Sequence, residues 1–221
     1  MNRKLWYLKQ LNLFKELPEK EIKIISERFA EKEYSKRQVI FEPQDRNKVF
    51  ILKKGRVEIY EITPDGKKII IDILEPGNVF GDLGINEPNE YFVEATTNSF
   101  VCVMGKDEFI SMVINNQKIA SFLIKELFTK VVESEKQIAA LASDNLLIKV
   151  KNLLLRLAKK YGEQKENKII INSKFTHEKL AEMIGVSRQT MTEMLNKLER
   201  QGIVQRKNKI ISFDPQKLNG L

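Results

Sequence analysis

The chain has 221 residues, of which 42% are hydrophobic and 31% charged, and its formal net charge at pH 7 is +8. This composition is typical of a folded globular protein, and the longest stretch without a charged residue, 95–105, is too short to span a membrane. One cysteine and one histidine exclude an internal disulfide, a four-cysteine iron–sulfur cluster and a zinc finger, and leave little for metal binding or triad catalysis. The N-terminal residues lack the apolar run of a signal peptide, so we expect a cytoplasmic protein with no membrane contact and no cofactor.

The first domain is predicted at residues 1–116. Its first forty residues carry apolar side chains at helical spacing on either side of Pro18, which predicts short helices. From Val39 onward, short β-branched runs alternate with turn residues, which predicts an antiparallel β-roll of about 80 residues. The predicted strands are residues 39–41, 49–52, 57–60, 69–74, 93–97 and 100–104.

A long helix followed by a hinge is predicted at residues 117–145. Apolar residues recur there at alternating intervals of four and three, a heptad seam that is typical of a two-stranded coiled coil. We therefore expect a homodimer, and one buried amphipathic helix in a monomer is the alternative. Leu123, Phe128 and Val132 lie beside the seam and are expected to pack on the roll. The seam residues are Ile124, Leu127, Val131, Ser134, Ile138 and Leu141.

The third predicted domain, residues 146–221, carries the excess positive charge. It has 16 basic and 7 acidic side chains, a net charge of +9, whereas residues 1–116 have a net charge of −1. Such asymmetry is typical of a chain in which one domain binds nucleic acid. A solvated lysine-rich surface is the alternative explanation. The first helix of this domain is predicted at residues 146–161, between an N-cap in residues 143–145 and Gly162.

Residues 176–201 predict a helix-turn-helix motif. Thr176 and Ser187 suit the N-caps of two helices, and Gly185 suits a left-handed turn between them. A hairpin is predicted after the second helix, at residues 203–213, so the motif is a winged helix-turn-helix. In such motifs the N-terminal residues of the second helix enter the DNA major groove.

The second helix of this motif carries the predicted base contacts. Arginine can pair with both acceptors of guanine, glutamine can pair with adenine, and glutamate can accept from cytosine. The alternatives for Glu193 are that it holds Arg188 in place or is a solvated carboxylate. Phosphate contacts position the protein without reading the sequence. The predicted base contacts are Arg188, Gln189, Thr192 and Glu193, and the predicted phosphate contacts are Thr176, His177, Ser187, Lys197, Lys207 and Lys209.

The order of roll, long helix, hinge and winged helix-turn-helix resembles the CRP/FNR family, the relatives of the cyclic-AMP receptor protein and of the fumarate–nitrate regulator. The resemblance is carried by ILKKGRV at 51–57, FGDLG at 80–84 and the segment 176–213. It implies a two-domain α+β fold and a homodimeric transcription regulator that binds a two-fold symmetric operator and often contacts RNA polymerase. The family commonly has Arg where this chain has Glu193, so the resemblance also implies an operator of different sequence.

The resemblance implies a sensor role for the roll, and this chain departs from the family there. Family members that bind cyclic nucleotides use a Glu for the ribose and an Arg for the phosphate; here Asp82 replaces the Glu, and the Arg is absent. Residues 69–105 contain six acidic residues and no Lys or Arg, so the local charge disfavours an anion. We predict that cyclic AMP does not bind with useful affinity.

The sequence leaves the effector open. A neutral or cationic small molecule between the roll and the long helix, an untypical ligand, and a vestigial roll without an effector are the alternatives. The iron–sulfur sensors of the family need more cysteines than this chain has, and its haem sensors need axial donors in the roll. The candidate effector pocket comprises Phe80, Gly81, Asp82, Leu83 and Ser134.

Two other classes of protein share parts of this pattern. A cupin-like enzyme would use several histidines in its barrel, and residues 1–116 contain none, so we predict that the chain is not an enzyme. A ligand-sensing interaction module without specific DNA binding is the alternative function. Cys102 lies in an apolar, strand-like run, so a buried thiol is expected rather than a redox switch.

Overall fold

The computed structural model describes residues 3–83 and 90–220. The chain divides into two compact units, one formed by Met1–Lys67 and Ile71–Lys130, the other by Lys68–Ile70 and Val131–Leu221. The division falls inside the longest helix, α4 (Gln117–Leu141), which begins at the residue where the sequence predicts a long helix. Across the described ranges, no helix is both long and apolar enough to cross a membrane.

The first unit combines short helices with a β-roll. Its helices besides α4 are α1 (Arg3–Gln10), α2 (Glu19–Arg28) and α3 (Lys106–Ile114), with a 3-10 turn at Asn12–Phe14. Its strands are β1 (Ala30–Tyr34), β2 (Val39–Phe41), β3 (Lys48–Lys54), β4 (Val57–Ile62), β5 (Lys68–Leu74), β6 (Val79–Gly81), β7 (Phe92–Ala95) and β8 (Ser99–Gly105). Strand β5 belongs to this unit from Ile71 onward.

The strands form two four-stranded sheets, with the orders β1-β8-β3-β6 and β2-β7-β4-β5. Strands β3 and β8 are antiparallel neighbours, with Phe50 opposite Val103. Successive side chains of a strand point to opposite faces. In β3, Val49 and Ile51 pack with the helices, whereas Phe50 and Leu52 belong to the core of the roll. Both faces of β3 are therefore covered, which explains its unbroken apolar run.

Aromatic side chains fill the core of the roll. Phe50 stacks on Phe80 with 5.2 Å between ring centroids, and Phe41 lies edge-on to Phe50 at 6.2 Å. Tyr91 packs on Phe41 at 5.5 Å. The three phenylalanines are almost fully buried. The burial of these large rings is a main source of the stability of the roll, because aromatic side chains remove more apolar surface from water than other residues.

The second unit contains the winged helix-turn-helix. Its four strands form one antiparallel sheet of order β11-β12-β10-β9. Its helices are α5 (Leu146–Tyr161), α6 (His177–Glu182), α7 (Arg188–Arg200) and α8 (Pro215–Asn219), and its strands are β9 (Gly162–Lys165), β10 (Lys168–Ile171), β11 (Val204–Lys207) and β12 (Ile210–Phe213).

The predicted α+β architecture of roll, long helix and winged helix-turn-helix is confirmed. Helix α5 has the predicted bounds, and the side chain of Asn145 caps it by accepting from the backbone N–H of Leu147 at 2.9 Å. The prediction of short helices through residue 40 is wrong at Ala30–Tyr34, which forms β1. This strand is polar and largely exposed, so no apolar alternation marks it; its pairing with β8 decides its conformation.

The heptad seam of α4 is exposed in the single chain. The apolar members of the seam are solvent-accessible, and Leu127 and Ile138 are 63% and 67% exposed. Ser134 is exposed as well. Leu123 packs against the helical core of the first unit, as predicted. The same expectation is wrong for Phe128, which is 70% exposed and widens the apolar face. Val132 is 47% exposed and belongs to the other unit, so its packing on the roll stays a prediction.

Candidate nucleic-acid interface

Two side-chain caps and one glycine build the helix-turn-helix. The hydroxyl of Thr176 accepts from the backbone N–H of Lys179 at 3.1 Å, and the hydroxyl of Ser187 accepts from that of Thr190 at 3.0 Å. These bonds satisfy donors that a helix start otherwise leaves free. Gly185 has a φ of +67°, a conformation that side chains disfavour. The predicted caps and the predicted left-handed turn are confirmed.

Helix α7 presents one face to the core and the other to solvent. Met191, Leu195 and Leu198 are fully buried, which fixes the rotation of the helix about its axis. Met194 is half-buried. The opposite face is polar and open. Its exposed members at the start of the helix include Arg188, Gln189 and Glu193.

Gln189 and Glu193 form a pair on the open face of α7. The side-chain amide of Gln189 donates to Oε1 of Glu193 at 2.9 Å. Glu193 therefore holds the side chain of Gln189. One alternative raised from the sequence was that Glu193 holds Arg188, and the structure does not have that contact. An amide carries two N–H donors and one oxygen acceptor, so Gln189 keeps one donor and its acceptor for a ligand. That remaining pattern matches the acceptor and donor that adenine presents in the major groove.

The wing is the hairpin of β11 and β12. Its two turn residues, Asn208 and Lys209, have φ values of +52° and +66°, which is the two-residue turn that suits the twist of antiparallel strands. The backbone N–H of Phe175 donates to the carbonyl of Lys209 at 3.2 Å and ties the turn to the segment before α6. Lys207, Lys209 and Lys197 of α7 are exposed.

Arg206 connects the wing to both helices of the motif. It lies on the same side of β11 as the buried Val204 and is partly buried. One terminal nitrogen of its guanidinium bonds Nε2 of His177, and the other donates to Oδ1 of Asn196 at 2.7 Å and to the carboxylate of Glu199. Sequence reasoning missed this residue, although an arginine on the inward face of an amphipathic strand was the available signal.

His177 is half-buried between the wing and α7. Its Nδ1 lies 2.7 Å from the hydroxyl of Thr192, and Thr192 in turn donates to the carbonyl of Arg188 at 2.8 Å. Burial lowers the pKa of His177 below its ordinary value of 6.5, and the positive charges of Arg206 and Arg188 lower it further, against the opposite effect of Glu199. The ring is therefore neutral at pH 7. The phosphate contact of His177 stays a prediction, and it would use a ring nitrogen that faces a protein group here.

A cleft of about 570 Å³ opens beside this network, within the second unit. Cationic side chains line it together with two carboxylates, so its surface is of mixed charge. The hydrogen bond from Arg206 lowers the pKa of Glu199, which is therefore ionised at neutral pH. The charged and titratable residues of the lining are His177, Glu178, Arg188, Glu199, Arg206 and Lys209.

The candidate effector residues of the roll are occupied by internal contacts. Asp82 is 5% exposed; one carboxylate oxygen accepts the backbone N–H of Asn47 at 3.0 Å, and the other accepts Lys106 Nζ at 3.0 Å. Burial acts to raise the pKa of Asp82, but these hydrogen bonds and the positive charges of Lys106 and Arg46 together outweigh burial and hold the pKa below its ordinary value. The carbonyl of Gly81 accepts the hydroxyl of Tyr91 at 2.6 Å.

The remaining candidates for an effector pocket are not equivalent. Phe80 is buried in the aromatic core, and Leu83 is 46% exposed. Ser134 belongs to the other unit, and Gly84 of the FGDLG motif lies outside the described residues. Cys102 is fully buried, which confirms the predicted burial of its thiol. The described ranges contain no group of three or more His, Cys, Asp or Glu side chains that could hold a metal.

A β-roll joined through a long helix to a winged helix-turn-helix is the architecture of a two-domain DNA-binding regulator. A family model of the cyclic nucleotide-binding domain matches residues 31–116, and one of the Crp-like helix-turn-helix domain matches residues 149–221. The chain belongs to the CRP/FNR family of transcription regulators.

Similar proteins cover most of the chain. The CRP-like cAMP-activated global transcriptional regulator of Mycobacterium tuberculosis is 27% identical over 180 residues, 80% of each protein. The global nitrogen regulator of Synechococcus elongatus is 26% identical over 215 residues, 95% of each. A mutant of CooA from Carboxydothermus hydrogenoformans has a TM-score of 0.81 at 23% identity, covering 100% of this chain and 96% of that one, and shares the fold.

Proposed function

We propose that the chain acts as a homodimeric transcription regulator that binds an inverted-repeat operator through α7. The observation that carries this proposal is the open polar face at the start of α7, opposite a fully buried apolar face. The helix is held by a domain with a net charge of +9. A helix presented in this way, in a basic domain, is suited to enter the DNA major groove.

Base recognition is assigned to four residues of α7. Arg188 can donate to O6 and N7 of one guanine, and Gln189, oriented by Glu193, can pair with adenine. The carboxylate of Glu193 can also accept from the amino group of a neighbouring cytosine. The hydroxyl of Thr192 bonds within the domain, so we assign it a methyl contact with thymine.

Phosphate contacts are assigned to exposed groups around α7 and the wing. Lys197, Lys207 and Lys209 supply positive charge, and the cap residues Thr176 and Ser187 supply hydroxyl groups. Such contacts orient the protein on the duplex and make its affinity depend on salt. They do not discriminate between sequences, so specificity is left to the α7 face.

Dimerisation is assigned to the seam of α4. A stripe of large apolar side chains along one helix stays in water unless a second surface covers it, and its strict heptad spacing fits a second copy of the same helix. Leu127→Glu should therefore shift the protein towards the monomer in sedimentation experiments. The matched control is Ile24→Glu, since Ile24 is also more than half exposed but lies on α2. Equal dimer content in both variants would contradict this assignment.

The effector and the polymerase contact complete the proposal. The mycobacterial relative is named as cAMP-activated. In this chain, both carboxylate oxygens of Asp82 accept hydrogen bonds from the protein, which supports a roll that does not respond to cyclic AMP. We keep an unidentified small molecule, or none, as the effector. RNA polymerase is proposed as a partner because the family resemblance implies it.

The test is a selection of bound sites from random duplex DNA with the purified full chain. The expected result is an inverted repeat with half-sites about 34 Å apart or a multiple of that distance, as a two-fold dimer requires. Gel shifts at several salt concentrations should separate this specific complex from general binding. Failure to enrich any sequence would favour the interaction module without specific DNA binding.

A further inference from the structure

We propose that Arg206 and His177 are positioning residues, which set the affinity for DNA by clamping the wing to the recognition helix α7. The inference rests on the proposed DNA-binding function and adds to it. Neither residue needs to touch a base for this role. The clamp is defined as Arg206, His177, Thr192, Asn196 and Glu199.

The clamp joins three separate elements. Arg206 comes from β11, His177 from the first turn of α6, and the other members from α7. The guanidinium is the centre, since its two terminal nitrogens reach α6 and α7 together. A planar guanidinium can bridge such partners, whereas the ammonium of lysine is a single point of charge. The clamp therefore fixes the wing relative to α7 before DNA arrives.

Hydrogen bonds run through the clamp in one direction. Arginine can only donate, so Nε2 of His177 must be the unprotonated acceptor. In the neutral ring the hydrogen is then on Nδ1, which donates to the hydroxyl of Thr192. The single hydroxyl hydrogen of Thr192 is used to reach the carbonyl of Arg188. The relay ends on the backbone of the residue proposed to read guanine.

A proton on His177 breaks this relay. It adds an N–H donor at Nε2 that faces the donors of Arg206, and it adds a positive charge next to Arg206 and Arg188. Glu199 opposes that repulsion, and Glu178 and Lys209 line the same cleft with opposite charges. The broken contact frees the wing and the start of α7 to move, and binding must then order them again.

The acid response separates two roles for His177. If the neutral ring of His177 acts as a relay, its protonation weakens DNA binding. If the protonated ring contacts a phosphate, its protonation strengthens DNA binding. The chain has one histidine, so no other side chain at its ordinary pKa titrates between about pH 7.5 and about pH 5.5. The sign of the change in affinity therefore reports on His177.

The experiment measures the Kd for the selected operator by fluorescence anisotropy at fixed salt, from about pH 7.5 to about pH 5.5. We expect the wild-type affinity to fall with acid by roughly 2- to 10-fold, the equivalent of one hydrogen bond. His177→Gln offers an acceptor and a donor but cannot titrate, so its affinity should be independent of pH. A wild-type affinity that rises with acid would assign His177 to a phosphate and overturn the clamp.

Arg206→Lys keeps the positive charge but removes the planar guanidinium, so it tests whether the hydrogen bonds from both terminal nitrogens of Arg206 are needed. We expect its affinity at about pH 7.5 to be roughly 2- to 10-fold lower than that of the wild type, with little further loss in acid. The matched control is Arg200→Lys, the same change at an exposed position near the end of α7. If both variants bind as tightly as the wild type, Arg206 is not a positioning residue.

A measurement without DNA keeps this inference separate from the proposed function. Nitrogen-15 NMR of the single histidine in the free full-length protein should show the tautomer with hydrogen on Nδ1 at about pH 7, and Arg206→Lys should change that tautomer population. Hydrogen on Nε2 in the wild type would refute the clamp even if the protein binds its operator. Failure of operator selection with the expected tautomer would count against DNA recognition alone.

Discussion

The roll and the winged helix-turn-helix differ in whether their candidate binding side chains are already hydrogen-bonded within the protein or are open to a ligand. In the roll, Asp82 stands where the family resemblance implies a ligand contact, yet Asn47 and Lys106 take both of its oxygens. On α7, Arg188 and Gln189 are exposed, and Gln189 keeps donor and acceptor capacity. Polar groups that already have protein partners stabilise the fold, whereas exposed groups with remaining capacity can bind a ligand. The comparison supports the proposal that DNA is recognised by the second unit.

Removal of the Asp82 carboxylate should have the largest effect. Asp82→Ala leaves the partly buried Lys106 and the N–H of Asn47 without this acceptor, so the free energy of unfolding should fall by about 3 kcal/mol. Urea unfolding followed by circular dichroism measures it, with the exposed Asp65→Ala as control. Because its pKa is lowered, this carboxylate stabilises the fold above its ordinary value of 3.8, and that contribution is lost as the pH falls through the lowered pKa. If Asp82→Ala left the free energy of unfolding unchanged but altered the binding of a ligand to the roll, Asp82 would be a ligand contact, and the contrast between the roll and the winged helix-turn-helix would not hold.

Arg188→Ala should have the next largest effect, on DNA affinity. Loss of a bidentate pair with guanine costs about 1–3 kcal/mol and should relax the preference at one base pair in each half-site. Anisotropy titrations on the operator and on its single-base variants measure both quantities. Arg200→Ala removes the same charge near the other end of α7 and should retain the preference. An equal loss of affinity on all sequences would make Arg188 a phosphate contact.

Lys207→Ala should have a smaller and uniform effect. Lys207 is exposed on the wing, so its loss should weaken binding to every sequence alike. The slope of log affinity against log salt should decrease in magnitude by about one, because one fewer counterion is released. Titrations on operator and random DNA across a salt series provide the slope. The same slope as in the wild type would remove Lys207 from the interface.

Cyclic AMP should have no effect on either unit. Segment 69–105 is acidic and contains no Lys or Arg, so it offers no cationic partner to a cyclic phosphate, and Asp82 within it is already hydrogen-bonded by the protein. Calorimetry at micromolar cyclic AMP should give no saturable heat, and operator affinity should be the same with and without the nucleotide. Saturable binding would show that the roll recognises the phosphate by other groups, such as backbone amides.

Local signals in the sequence predicted much of the fold and of the candidate interface. The caps Thr176 and Ser187, the turn at Gly185 and the bounds of α5 depend on residues close in sequence, and the structure has them as predicted. Strand β1 was missed because its partner β8 is distant in the chain: Glu31 pairs with Cys102. Propensity does not report such pairings.

The clamp was missed for a related reason. Its members lie on three elements between residues 177 and 206, and only their packing brings them together. A sequence pattern marks Arg206 as inward-facing but does not specify its partners. Similarly, the residue types around Asp82 suggested an effector site. The sequence did not show that Asp82 contacts Lys106, which lies 24 positions further along the chain.

Because both faces of β3 are covered, we expect its backbone amides to be exposed to solvent only rarely. Its backbone amides pair with β6 and β8, and its side chains are buried in two separate cores. A segment held in this way exchanges its amide hydrogens only when much of the unit unfolds. Exchange at Val49–Leu52 should therefore be among the slowest in the chain, while the exposed strand β9 exchanges early through local fraying. Strand β3 should thus be the most persistent part of the first unit.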